Sequence, residues 1–285
     1  MPSRPEIVKM RLKLPALRLP SLPWQFVWFY LTTMLFIPMG AMLLKSTQVG
    51  WARFWELATQ PVAIASYKVS FGLSLLAGLI NGVAGLIIAW ALVRENFPGK
   101  RFLDSVIDLP FALPTAVAGL TLASIYSEKG WVGQLFAPAG IKIAFTQTGV
   151  AIAMIFISLP FVVRTVEPVL RNLERDEEEA AWCLGATRAQ TFWKVTFPQL
   201  LPAVLTGVAQ GFSRAVGEYG SVVMIASNIP FRDLITPVLI VQRLEEFDVP
   251  AASVIGCVLL LFSLVFLLLI NGLQAWGLRY TVQKS

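Results

Sequence analysis

Residues 171–199 read RNLERDEEEAAWCLGATRAQTFWKVTFPQ, a polar stretch set between two strongly apolar ones, Val150–Leu170 and Leu200–Met224. Four consecutive carboxylates, Asp176, Glu177, Glu178 and Glu179, stand where a helix would begin, beside the positive end of its dipole. Ala180, Ala181, Leu184 and Thr187 follow at three- and four-residue steps, a narrow face of mostly small side chains that another protein surface can approach closely. Gly185 suits a close contact or a sharp turn, and Pro198 is expected to stop a second short helix just before Leu200. Taken alone, the stretch reads more simply as an amphipathic helix resting on a membrane surface.

The apolar flanks decide the class. Of 285 residues, 56% are hydrophobic and only 14% charged, and the mean hydropathy is +0.69. That is more apolar surface than one soluble core can bury, so lipid must cover the surplus. A hydrocarbon layer about 30 Å thick takes roughly 20 helical residues to cross. Six stretches qualify: Trp24–Leu44, Val69–Val93, Ile107–Tyr126, Val150–Leu170, Leu200–Met224 and Ala251–Ile270. The third and fourth carry Pro110, Pro114, Pro160, Arg164 and Glu167; proline is tolerated in a span because neighbouring helices and local adjustment re-satisfy the freed carbonyls.

Lys and Arg set the orientation. With the amino terminus inside, fourteen of them fall in inner segments, including Arg94, Lys100, Arg171 and Arg188, against seven outside, including Lys129, Lys142 and Arg232. This is the bias of the positive-inside rule, and it leaves both termini and the 171–198 loop in the cytoplasm. The net charge of +6 lies in segments flanking apolar spans and lacks the aromatic interleaving of a nucleic-acid surface. The first apolar stretch is too long for a secretory signal, and Lys45-Ser46-Thr47-Gln48 offers no small-x-small cleavage site, so a retained span is expected. Cys183 falls in the loop and Cys257 in the sixth span, so the two should not pair. The expected layout is a tail at 1–23, a first span and outer loop at 24–66, a core of five spans at 67–277 with the loop at 171–198, and a tail at 278–285.

The pattern Glu179-Ala180-Ala181, then Gly185, then Val195-Thr196-Phe197-Pro198 resembles the loop by which permease subunits of ATP-binding-cassette importers dock onto their ATPase. From Tyr67 to Gly277 the chain resembles the sulfate/thiosulfate branch of these binding-protein-dependent permeases, which shares its pattern with the molybdate permeases. The resemblance is carried by Asp108–Gly119, Leu159–Arg164, the docking loop, Ser213–Gly220 and Leu244–Asp248. Residues 1–66 resemble the family only weakly, and Val195 and Phe197 stand where the docking pattern more often has Ile and Leu. The resemblance implies an all-α permease of six transmembrane helices in the bacterial inner membrane, with a cytoplasmic coupling helix between the fourth and fifth. Glu179, Ala180, Ala181, Leu184 and Gly185 would meet the ATPase. It also implies a second, homologous permease, two ATPase subunits that bind ATP and Mg, and a periplasmic binding protein delivering sulfate or thiosulfate. Molybdate or tungstate is the rival cargo, and an ion-driven secondary transporter the rival class.

Nothing in the chain supplies chemistry of its own. It has no G-x4-G-K-[ST] loop, no His and no clustered Cys, so no catalytic residue, metal site or cofactor is expected on it. Ionisable residues inside a span read as functional by default, and Arg214 and Glu218, one helical turn apart, are candidates for the translocation path or its gate. An ion pair that only fixes packing fits them equally well. Pro110 and Pro114 are expected either to kink the third span or to break it so that free backbone lines a cavity. Gly78, Asn81, Gly82 and Gly85 form a small-residue packing face. Arg164 and Glu167 are expected to reach toward the membrane interface.

Overall fold

A computed structural model describes residues 21–282, so most of the expected 1–23 tail and residues 283–285 lie outside the described residues. The chain forms two units, Met1–Leu44 and Lys45–Ser285. In the first, the helical run α1 (Leu22–Gln48) begins, with Pro23 in its opening turn and exposed apolar and aromatic side chains such as Trp24, Phe26 and Phe29. Every described element is helical.

The second unit is built on α3 (Pro61–Arg94), entered through the short amphipathic helix α2 (Trp51–Ala58). Small residues recur every third or fourth position along α3, and Ser70, Ser74, Ala77, Gly78, Asn81, Gly82, Gly85 and Ala89 are all buried. Helices without a hydrophobic drive to associate in lipid gain mainly from close van der Waals approach, which that stripe permits. Two long helices use it: α7 (Gln147–Asn172) and α9 (Phe197–Val216). A Cβ on Gly85 would stand 2.7 Å from Val162 Cγ1 of α7, and one on Gly82 would stand 2.9 Å from Val208 Cγ2 of α9. Asn81 adds polar glue, donating to Ile155 O at 2.9 Å and Ser158 Oγ at 2.8 Å.

The expected third span is not one helix. Residues 100–126 form α4 (Lys100–Ile107), the single turn α5 (Leu109–Ala112) and α6 (Thr115–Tyr126). Leu113 and Pro114 are extended between the last two, because proline forces the residue before it out of the helical region. The expected fifth span is divided too: α9 stops at Val216, and α10 (Gly220–Ile225) begins after three residues. The short helices α6 and α10 then pack on each other. A Cβ on Gly119 would lie 2.3 Å from Ser221 O, and one on Gly220 would lie 2.1 Å from Thr115 Oγ1.

Pro198 does not stop a helix. Arg188–Thr191 continues through a π-turn, Phe192–Thr196, into α9, and the widened turn accommodates the ring without a break. The same device, Thr32–Phe36 ahead of Pro38, keeps α1 continuous. The unit ends with α11 (Thr236–Glu245) and α12 (Val249–Val282). Among the described residues four helices are long and apolar enough to cross a membrane: α1, α3, α7 and the Val249–Ile270 part of α12.

Candidate coupling and translocation sites

The acidic run opens a helix as its dipole favours: Asp176, Glu177, Glu178 and Glu179 fill the first turn of α8 (Asp176–Cys183). The helix ends in a Schellman motif. Gly185 adopts φ +84°, its N–H donates to Trp182 O at 2.9 Å, and the Ala186 N–H reaches Ala181 O at 3.0 Å. A left-handed residue at this position costs glycine nothing and any side chain something. Thr187 then caps the next helix through a capping box with Gln190, so the small face expected to run from Ala180 to Thr187 ends at the turn. Of the candidate coupling residues, Glu179 and Ala180 are exposed, Ala181 is half-buried, and Leu184 is 89% exposed at the tip.

What holds α8 in place is the carboxylate that sequence did not single out. Glu178 is buried, ion-paired with Arg94 at the end of α3 (Nη2 to Oε1 3.1 Å), and Thr196 Oγ1 donates to the same oxygen at 3.1 Å. Gln199 of α9 donates to Glu177. The loop helix is thereby pinned to α3 and to the run that leads into α9 at once. Removing one partner of such a buried pair leaves the other charge uncompensated, so the anchor is stiff. Four acidic residues in a row gave no sign of which one turns inward.

Arg164 and Glu167 are held by partners within the chain. The five N–H groups of Arg164 have five acceptors: Asp108 Oδ1 at 2.9 Å and Oδ2 at 2.7 Å, Asp104 Oδ1 at 2.7 Å, Asp104 O at 2.9 Å and Glu167 Oε2 at 2.7 Å. Arg171 takes the other oxygen of Glu167. The planar guanidinium fork suits this job, and it ties the α4–α5 corner, just ahead of the Pro114 break, onto α7. Pro110 is buried beside it and Pro114 is exposed.

Arg214 and Glu218 meet as their spacing predicts, Nη1 to Oε2 at 2.6 Å, although α9 has ended between them. The Glu218 side chain is 2% exposed and the Arg214 side chain 35%. The second carboxylate oxygen, Oε1, accepts from the Ser221 N–H and the Ser221 Oγ–H, both at 2.9 Å, so Glu218 also caps α10. Its charge is thus fully employed, whereas the guanidinium keeps an open side. Pro110 and Pro114 belong to the other break and are not among the partners of this pair.

The candidate sites thus consist of two interrupted helices, a buried ion pair and an anchored loop helix. Residues 81–277 match the binding-protein-dependent transport system inner membrane component family, and the chain belongs to that family. It is a multi-pass permease component of the inner membrane and in itself not an enzyme. The chain is 63% identical over 275 residues to the sulfate transport system permease protein CysT of Synechococcus elongatus, covering 93% of this chain and 99% of that one. It is 61% identical over 260 residues to the protein of the same name from Synechocystis sp., covering 91% of each. In fold it is similar to a chain of a bacterial alginate ABC transporter solved in complex with an alginate pentasaccharide-bound periplasmic protein, with a TM-score of 0.71 at 18% identity, covering 88% of this chain and 91% of that one.

Proposed function

We propose that this chain is the membrane-spanning permease subunit of a sulfate importer driven by ATP hydrolysis on separate cassette subunits. The observation that carries the proposal is identity above 60% with named sulfate permeases along more than nine-tenths of the chain. The same names favour sulfate over molybdate or tungstate as cargo, with thiosulfate the natural second substrate, and membership of the family argues against an ion-driven secondary transporter. Six crossings follow if the broken segment 100–126 and the α9–α10 pair each count as one. With its 20 residues α9 is about 30 Å long, enough to traverse the hydrocarbon layer despite Arg214. Both termini and α8 then face the cytoplasm.

In this arrangement two cytoplasmic ATPase subunits bind ATP and Mg, a homologous permease completes the path, and a periplasmic binding protein delivers the anion. Leu184, Gly185, Ala180, Ala181 and Glu179 form the surface that meets the ATPase, supported by the exposure of Leu184 and by the anchoring of Glu178 behind it. ATPase closure would move α8, and through Arg94, Thr196 and Gln199 it would tilt α3 and α9 together between inward-open and outward-open states. Arg214 gives the path a positive potential, and Glu218 keeps that charge from trapping a divalent anion.

The test is reconstitution of the intact complex in vesicles. ATP- and binding-protein-dependent uptake of labelled sulfate, unaffected by excess molybdate, supports the proposal. Uptake abolished by molybdate would reassign the cargo, and uptake by this chain alone under an ion gradient would reassign the class.

A further inference from the structure

At the end of α6 and α10 remote from the two breaks, three segments enclose a cavity of about 460 Å3, lined among others by Lys129, Lys142, Arg232 and Glu128. Glu128 is taken by Lys142 at 2.5 Å. Among the described residues no ion pair uses Lys129 or Arg232, so the basin holds two uncompensated positive charges. Ser127, Thr146 and Ser227 also line it, but their hydroxyl protons are committed to Ser124 O, Ile143 O and Asp233. An occupant would therefore be held by charge, and a cavity of this size accepts a tetrahedral oxyanion with part of its water shell.

The rim is built at some cost. Four non-glycine residues in the described chain have positive φ, and three of them, Phe145 (61°), Asn228 (55°) and Phe231 (64°), lie in two of the three rim segments. Each such residue stores on the order of 1 kcal/mol or more, and strain of this kind persists where surrounding structure fixes it. Here the fixing is visible. The Phe145 N–H donates to Ile225 O at 2.8 Å, and Gln147 Nε2 donates to Arg232 O. Asp233, fully buried, accepts from the Ser227 N–H at 2.6 Å and the Ile229 N–H at 3.0 Å. The backbone carrying Arg232 is locked from both sides, so the base of its side chain is fixed at the rim.

We propose that this basin is an entry subsite for a divalent tetrahedral oxyanion, which Lys129 and Arg232 receive at the outer end of the half-helix pair leading to Arg214. The proposal rests on the orientation given under Proposed function, in which this end faces the periplasm.

The experiment places a cysteine at the rim (Ser127→Cys) in the complete complex, with Cys183→Ser to remove the exposed native thiol. Labelling rates are compared for an anionic sulfonate-bearing and a cationic ammonium-bearing methanethiosulfonate, in sodium sulfate and in sodium chloride at equal ionic strength. The expected result is a preference for the anionic reagent of roughly tenfold, with labelling slowed at least about twofold by sulfate relative to chloride. Both effects should vanish with Lys129→Gln/Arg232→Gln and survive Arg53→Gln, which removes an equal charge from α2. Equal rates for the two reagents, or sulfate acting no differently from chloride, overturn the subsite. So does a double variant that labels as before yet no longer retains the binding protein, since the cations would then be a protein contact. Sulfate uptake by the parent complex is measured in parallel. A parent that imports no sulfate while its basin still selects anions refutes the importer and spares the subsite; normal import with an unselective basin does the reverse.

Discussion

The two helix breaks, Leu113–Pro114 and Gly217–Tyr219, are both secured by an arginine–carboxylate contact, yet they differ in almost every other respect. At the first, Arg164 lies on a separate helix, binds three carboxylates and has all five donors filled in a site open to water on one side. At the second, Arg214 holds one carboxylate, and that carboxylate is sealed from solvent and closes the next helix as well. The first break follows from covalent structure, since Pro114 holds Leu113 before it in an extended conformation, and its charges only steady it. The second exists because Glu218 satisfies groups that would otherwise be left bare.

That difference can be broken experimentally, beginning at Glu218. Glu218→Ala removes the α10 cap and strands Arg214, and it should cost about 3 kcal/mol, the lower end for a buried pair because Arg214 is 35% exposed and water recovers part of its charge. Thermal unfolding of the purified complex would register it, with sulfate uptake falling at least about tenfold; an unchanged midpoint would mean that the break does not depend on the cap. Gly119→Ala drives a methyl into the Ser221 backbone and should cost about 2 kcal/mol. Arg164→Lys should cost about 1 kcal/mol, since an ammonium cannot serve five acceptors, while Arg214→Lys should cost less, having one acceptor to keep. A reversed order in melting temperature would undo the comparison. The smallest effect is expected at Pro114→Ala, below about 1 kcal/mol, because the residue is extended and exposed and its neighbours are already fixed.

The same contrast explains what the sequence made legible. Membrane class and four of the helices followed from apolar length alone, while Pro110 and Pro114 marked their segment for either a kink or a break, and the structure has the break. The Gly217 break was hidden, because no proline marks it and the residue that permits it, Glu218, looked like half of an ordinary i,i+4 pair. Pro198 misled in the opposite sense: a π-turn is invisible to any rule assuming 3.6 residues per turn. The partners of Arg164 went unseen because Asp104 and Asp108 are some 60 positions away, and pairing across that distance needs a fold before it can be seen.

The uninterrupted run from Arg188 through Val216 has a mechanical meaning. At 1.5 Å per residue it forms a continuous helical run of about 43 Å, with its wide turn as the place where it can bend. The extra residue of its wide turn rotates every side chain beyond it by about 100° about the axis, so the face presented near the loop and the face presented to α3 and α7 are set independently.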